Sequence, residues 1–242
     1  MDSGNKEHYE RPPTPAGQDE KGIIKDLQTG GCPICNHMEE VIFDFFAKWQ
    51  YKLANDETVQ KEYADELGFC PAHTWQLAAM ASSWGLSRGY PKLLEHIAEE
   101  LSKLIDISPN VSDNIEALVK GYESCRVCRL LRDKEETYTR RFVAFLEREE
   151  IRVAYSHSDG VCLGHLRLLV SHLTSREVMR FLMLETAKKL RETAEVMRRY
   201  ALKHEALERD LINRDEKYAY MRALVHVAGA RNVCAPHVRR IG

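Results

Sequence analysis

The chain has 242 residues, 44% of them hydrophobic and 30% charged, with a formal net charge of −2. That is an ordinary globular composition, long enough for one large domain or two small ones. It excludes a strongly basic chain, and no apolar run approaches the ~20 residues that a membrane-spanning helix needs.

Residues 1–22, MDSGNKEHYERPPTPAGQDEKG, have no apolar core and carry acidic side chains. They resemble neither a secretory signal nor a transit peptide, so the expected location is cytoplasmic. Their Pro, Gly and charge content predicts a disordered tail. A first helical metal module is expected over 23–110. It opens with GCPIC (Cys32, Cys35), and a helix follows. A shorter helix covers about Thr58 to Leu67, then GFCPAH (Cys70, His73) starts a third, and a fourth runs from about Tyr90 to Ile107. The glycine before the CxxH motif fits a helix C-cap and a tight turn. SPNVSDN, 108–114, reads as a seam.

A second module is expected over 111–206, and it repeats the first. SCRVC (Cys125, Cys128) lies 93 residues after GCPIC, and GVCLGH (Cys162, His165) lies 92 residues after GFCPAH. Apolar positions follow the same offset. Ile34, Met38, Phe45, Trp49 and Leu53 map onto Val127, Leu131, Tyr138, Phe142 and Leu146, with helical spacing. Tyr63 and Gly68 map onto Tyr155 and Gly160 at +92. This pattern reads as a tandem duplication. Helices are expected near 149–156, from Cys162 onward, and over Arg176–Glu205. In the last of these Phe181, Leu184, Leu190, Ala194, Met197 and Ala201 form a candidate buried stripe. Residues 207–242 hold a final helix, about Asp215 to Ala228, and a basic tail. No strand alternation is present, so the predicted class is all-α: tandem duplicated helical modules, each stapled by a Cys3His metal site.

The chain has seven cysteines, an odd number, two pairs of them in CxxC spacing. In a reducing compartment such thiols bind metal or do redox chemistry. Positions i and i+3 at a helix start share a face, so each CxxC offers two thiolates to one point and each CxxH a sulfur and an imidazole. Helix N-termini also favour the thiolate. The expected sites are therefore Cys32, Cys35, Cys70 and His73 in the first module, and Cys125, Cys128, Cys162 and His165 in the second. Each would take one zinc, two per chain; an iron–sulfur cluster is the rival occupant. A structural zinc contributes on the order of 10 kcal/mol to folding, comparable to a domain's whole net stability. His37 and His157 read as surface histidines, and Cys234 with His237 as a chance CxxH without a CxxC partner. Trp49, Trp75 and Trp84 fall on or near apolar helix faces, where core packing is the expectation.

The motifs CPIC, GFCPAH, CRVC and GVCLGH, with KYAYMRALVHVAGA as the final helix, resemble an uncharacterised family of bacterial and archaeal proteins with two CPxC…(F/L)CxxH modules. The resemblance covers about 25–230, with Arg126 where the first module has Pro33. It implies a metal site and brings no activity, substrate or partner.

Four protein ligands leave no open coordination position, and no phosphate loop, nucleophile elbow or HExxH motif is present. The primary reading is therefore a non-enzymatic interaction or regulatory protein, acting through a protein partner or self-association. A redox or metal sensor is the second reading. Nucleic-acid binding is the third. Residues 1–120 carry a charge balance of −9 and 121–242 one of +7, with Arg129, Arg132, Arg140, Arg141, Arg198, Arg199, Arg239 and Arg240 as candidate contacts.

Overall fold

The structure, a computed structural model, describes residues 16–104, 111–205 and 211–228. Among the described residues it is all-α, with twelve helices and no strand. The first half contains α1 (Ala16–Gln28), α2 (Pro33–Asn55), α3 (Glu57–Asp65), α4 (Pro71–Met80), α5 (Ser83–Gly89) and α6 (Pro91–Leu104). The second contains α7 (Val111–Leu118), α8 (Arg126–Leu146), α9 (Glu149–His157), α10 (Leu163–His172), α11 (Arg176–Glu205) and α12 (Arg214–Ala228).

Three helices depart from sequence expectation. Helix α1 begins at Ala16, inside the stretch expected to be a tail, because Ile23 and Leu27 bury one of its faces. Helices α5 and α7 are short and were masked in the sequence by Gly, Ser and Asn content. Helix α6 runs from Pro91 to Leu104, and the last residues of the helix expected up to Ile107 lie outside the described residues.

Helices α2, α3 and α4, of 23, 9 and 10 residues, are matched in order and approximate length by α8, α9 and α10, of 21, 9 and 10. Asp56 caps α3, its carboxylate accepting from Thr58 N and Val59 N. The chain then reverses through Leu67 and Gly68, both at positive φ, and Gly68 N closes the turn on Tyr63 O. Gly160, at φ 78°, marks the equivalent turn after α9.

The core explains how these helices assemble. One buried cluster joins Ile23, Leu27, Ile34 and Cys35 to Tyr138, Phe142, Leu146, Tyr155 and Leu169. The other joins Met38, Phe46, Trp49, Leu53, Tyr63 and Phe69 to Cys125, Val127, Cys128 and Leu131. The start of α2 thus packs on the far half of α8, and the start of α8 on the far half of α2. The two long helices run antiparallel, and each core draws on both halves of the chain. His37 stacks on Tyr138 at 4.4 Å between ring centroids, and the Tyr138 hydroxyl donates to Asp26 of α1 at 2.5 Å.

The buried stripe of α11 also differs from expectation. It consists of Val178, Leu182, Thr186, Lys189 and Thr193, while Leu184 is 57% exposed and Ala201 is exposed. The reason lies in what α11 covers. Lys189 Nζ donates to the carbonyls of Ser156 and Ser158 at the end of α9, at 2.9 and 2.6 Å, and Thr186 meets the Tyr155 hydroxyl at 3.4 Å. A helix that covers another helix's C-terminal carbonyls needs donors there, so polar residues occupy its buried face. Helix α12 opens with a capping box between Asn213 and Glu216, and Lys203 of α11 pairs with Glu216 at 2.8 Å.

Trp49 is buried, as expected, within rings contributed by Phe45, Tyr63 and Phe69. Trp75 and Trp84 are not core residues; they are 76% and 61% exposed. Cys234, His237, Arg239 and Arg240 lie outside the described residues.

Candidate metal centres

All four motifs use the same local geometry. Cys32, Cys70, Cys125 and Cys162 are each the N-cap of a helix, in extended backbone conformation. Cys35, His73, Cys128 and His165 occupy the third helical position. N-cap and N3 are the two positions whose side chains meet in a capping box, so a pair of ligands placed there faces one point. Pro33 and Pro71 at the first helical turn preset the backbone.

Eight sequence-predicted ligands converge into two buried sets of four, and in each set the candidate ligand atoms lie within 4.8 Å of one another. The membership of the sets corrects the expected pairing. One set is Cys32, Cys35, Cys162 and His165; the other is Cys70, His73, Cys125 and Cys128. Each therefore joins the CxxC of one half to the CxxH of the other.

Helix length gives the reason. Helix α3 retraces α2 only part of the way. Gln60 Nε2 donates to Leu53 O, Tyr63 packs on Trp49, and Phe69 and His73 arrive beside Phe46. Phe46 is eleven residues from Cys35, about 16 Å along a helix axis. The CxxH of the first half cannot reach the CxxC at the start of its own long helix. The antiparallel α8 delivers Cys125 and Cys128 to it instead, and α2 delivers Cys32 and Cys35 to Cys162 and His165.

The distances fit a tetrahedral ion. Two thiolates held at ~2.3 Å by one tetrahedral centre stand ~3.8 Å apart, and a thiolate and an imidazole ~3.5 Å apart. Cys35 and Cys162 sulfurs are 3.9 Å apart, and Cys70 and Cys128 sulfurs 3.7 Å. His165 Nδ1 lies 3.2–3.4 Å from the sulfurs of Cys162, Cys32 and Cys35. His73 Nδ1 lies 3.2, 3.3 and 3.6 Å from those of Cys70, Cys128 and Cys125.

The electrostatics point the same way. Burial alone would lower the His73 imidazole, but hydrogen bonding to Cys125 and Cys70 outweighs it and raises its pKa to about 9. His165 moves up well above its ordinary value, where hydrogen bonds to Cys162, Cys35 and Glu135 overcome the same burial. The Cys162 thiol is pushed down by hydrogen bonds from Cys32 and Cys35, and Cys125 by those from Cys128 and Cys70. Burial, with hydrogen bonds to Cys162 and Cys35, pushes the Cys32 thiol up, and hydrogen bonds to Cys125 and Cys70 push Cys128 up. Each set thus favours one thiolate beside an imidazolium with protons shared among the other sulfurs, which a metal cation would replace.

Around the two sets the supports differ. Arg126 forks onto Glu66, with Nε and a terminal nitrogen at 3.1 and 2.7 Å from its oxygens, and lies 4.9 Å over the Trp49 ring. This fastens the start of α8 to the end of α3, beside Cys125. Near the other set, Gly31 N donates to Asp159 Oδ2 at 2.7 Å. Glu135, which motif reasoning did not single out, accepts from His165 Nε2 at 2.7 Å, both side chains being 3% exposed. The signal was present in the sequence: Glu135 interrupts the apolar stripe Leu131, Tyr138, Phe142 of α8.

His37 and His157 belong to neither set. His37 stacks on Tyr138, and His157 Nδ1 faces Val153 O at 2.8 Å. Of the candidate nucleic-acid arginines, Arg140 pairs with Glu136, Arg198 with Glu195, and Arg129 caps Ser124 O. No helix among the described residues is long and apolar enough to cross a membrane.

The sequence matches the model of DUF6062, a family of unknown function, over residues 27–223. The chain belongs to this family. The matched span takes in both four-residue sets of this DUF6062 member and all of α2–α11. No curated protein and no solved structure matches the chain.

Proposed function

We propose that the protein is a zinc-stapled helical scaffold, with one ion in each Cys3His set, that serves as an interaction or regulatory module for a protein partner. The observation that carries this reading is the convergence of eight side chains, all on helix starts, into two sets with tetrahedral spacing. On this reading the matched halves arose by tandem duplication, and the antiparallel pairing of α2 with α8 made each centre draw its ligands from both halves.

Several features favour a structural ion over the other occupants. Ligand atoms all within 4.8 Å suit a single ion. A polynuclear iron–sulfur cluster spreads its protein ligands over different irons and needs a wider frame. Four protein ligands fill a tetrahedral zinc and leave no place for substrate, which argues against catalysis at the metal. Trp75 and Trp84, displayed on the consecutive helices α4 and α5, are large aromatic side chains available to a protein partner.

The test is elemental analysis with absorption spectroscopy on anaerobically purified protein. Two equivalents of zinc per chain, no visible absorption, and loss of helicity on chelation are expected. Iron with a brown colour, or a helical protein that binds no metal, would overturn the reading.

A further inference from the structure

The two centres match in their ligands but not in what stands behind their histidines. His165 Nε2 donates to the buried carboxylate of Glu135. His73 is wholly buried, its Nδ1 faces three sulfurs, and its Nε2 has no hydrogen-bond partner among the described residues. The position 93 residues before Glu135, the spacing that relates the two CxxC motifs, is Ile42, a buried hydrocarbon. The difference is therefore written in one residue at equivalent places on α8 and α2.

A carboxylate on the outer nitrogen of a metal-bound imidazole fixes the ring's tautomer and orientation and makes the inner nitrogen a stronger donor. Removing such a partner typically weakens metal binding by about 10–100-fold. We infer that the two centres are unequal. Glu135 positions His165 so that the Cys32, Cys35, Cys162, His165 centre holds its ion permanently, whereas the Cys70, His73, Cys125, Cys128 centre exchanges its ion as metal availability changes. This rests on the metal-binding reading and gives it a regulatory form: one staple for folding, one responsive to metal.

The consequence of emptying the weaker centre is local. Its ligands tie the start of α8 to the start of α4, beside the Arg126–Glu66 fork. Loss of the ion leaves that corner to the fork and the Trp49 ring cluster, while the opposite corner stays closed.

Access works against affinity here, so the measurement must be made at equilibrium. A cavity of about 360 Å³ reaches Cys32 and Cys162, bounded by Met221 and Arg222 of α12. Kinetic attack would therefore favour the tighter centre.

The experiment equilibrates the full chain, loaded with two equivalents of zinc, against graded concentrations of a zinc chelator. A brief pulse of iodoacetamide follows, and each cysteine is quantified by peptide mass spectrometry. Cys70, Cys125 and Cys128 are expected to become alkylated at chelator activities about 10–100-fold lower than Cys32, Cys35 and Cys162. Glu135→Gln should move the second transition down toward the first and leave the first unmoved. Glu136→Gln, the adjacent residue on α8, should move neither. A slowly exchanging imidazole N–H signal is expected for His165 in the loaded protein and is expected to be lost in Glu135→Gln. Simultaneous alkylation of both sets, or earlier alkylation of Cys32, Cys35 and Cys162, would overturn the inference and leave the metal reading standing. Alkylation of all six thiols without chelator would remove both.

Discussion

Cys32 lies 133 residues from His165 in the chain, yet its sulfur stands 3.3 Å from the imidazole Nδ1. Its nearer motif partners in sequence, Cys70 and His73, belong to the other set. The pairing has a direct consequence for metal stoichiometry. Cys32→Ser should reduce bound zinc from two equivalents to one, and adding His165→Ala should leave it at one. Combining Cys32→Ser with His73→Ala should bring it to zero. Metal content by mass spectrometry of the intact protein checks this, and pairing within each half would give the opposite result for the two double variants.

The fork from Arg126 to Glu66 stands at the start of α8, where the first half has Pro33. Both side chains are about 30% exposed, so solvent screening reduces its worth. Arg126→Lys keeps the charge and loses the two-pronged geometry and the stacking on Trp49. It should cost about 0.5–1 kcal/mol, and Arg126→Ala about 1–2 kcal/mol, read as a shift of the denaturant midpoint at unchanged slope.

Gly89 closes α5 against α2. A Cβ there would lie 2.5 Å from Leu53 Cγ and 3.2 Å from Leu53 O. Leu53 is buried, so neither it nor the backbone yields cheaply. Gly89→Ala should destabilise the protein by about 1–3 kcal/mol. Gly85→Ala, on the same helix, meets only the Ser82 hydroxyl at 3.3 Å and should stay within about 0.5 kcal/mol of the parent. Thermal or chemical denaturation of the two variants side by side gives the comparison.

Lys189 is a buried lysine whose ammonium serves two carbonyls at the end of α9 and whose stem covers Gly160. Lys189→Met keeps a flexible apolar stem and removes the donor. The carbonyls of Ser156 and Ser158 then lose that donor, at a cost of about 1–2 kcal/mol in the denaturation midpoint. If the substitution left stability unchanged or raised it, packing over Gly160 would be the lysine's whole contribution.

Much of the local structure is legible in the sequence. The helices after the CxxC and CxxH motifs, the long helix Arg176–Glu205 and the final helix were marked by periodic apolar residues and by Pro, Gly and Asp at their ends. Other features depended on neighbours. The buried face of α11 carries Thr and Lys because it meets a helix end, and sequence hydrophobicity pointed to a face containing Leu184, which solvent reaches. Trp75 and Trp84 sit on short helices with too few covering neighbours to enclose them.

The helical class and the identity of the eight gathering side chains follow from the residue pattern alone, because helical periodicity and three-residue spacing at helix starts are local properties. Which ligands share a set is a matter of how the helices pack. A long helix of 23 residues followed by a return of nine brings His73 to Phe46 and stops well short of Cys35. That distance is set by the rise of a helix and the place of a turn, and it is bridged only when the second long helix lies antiparallel to the first.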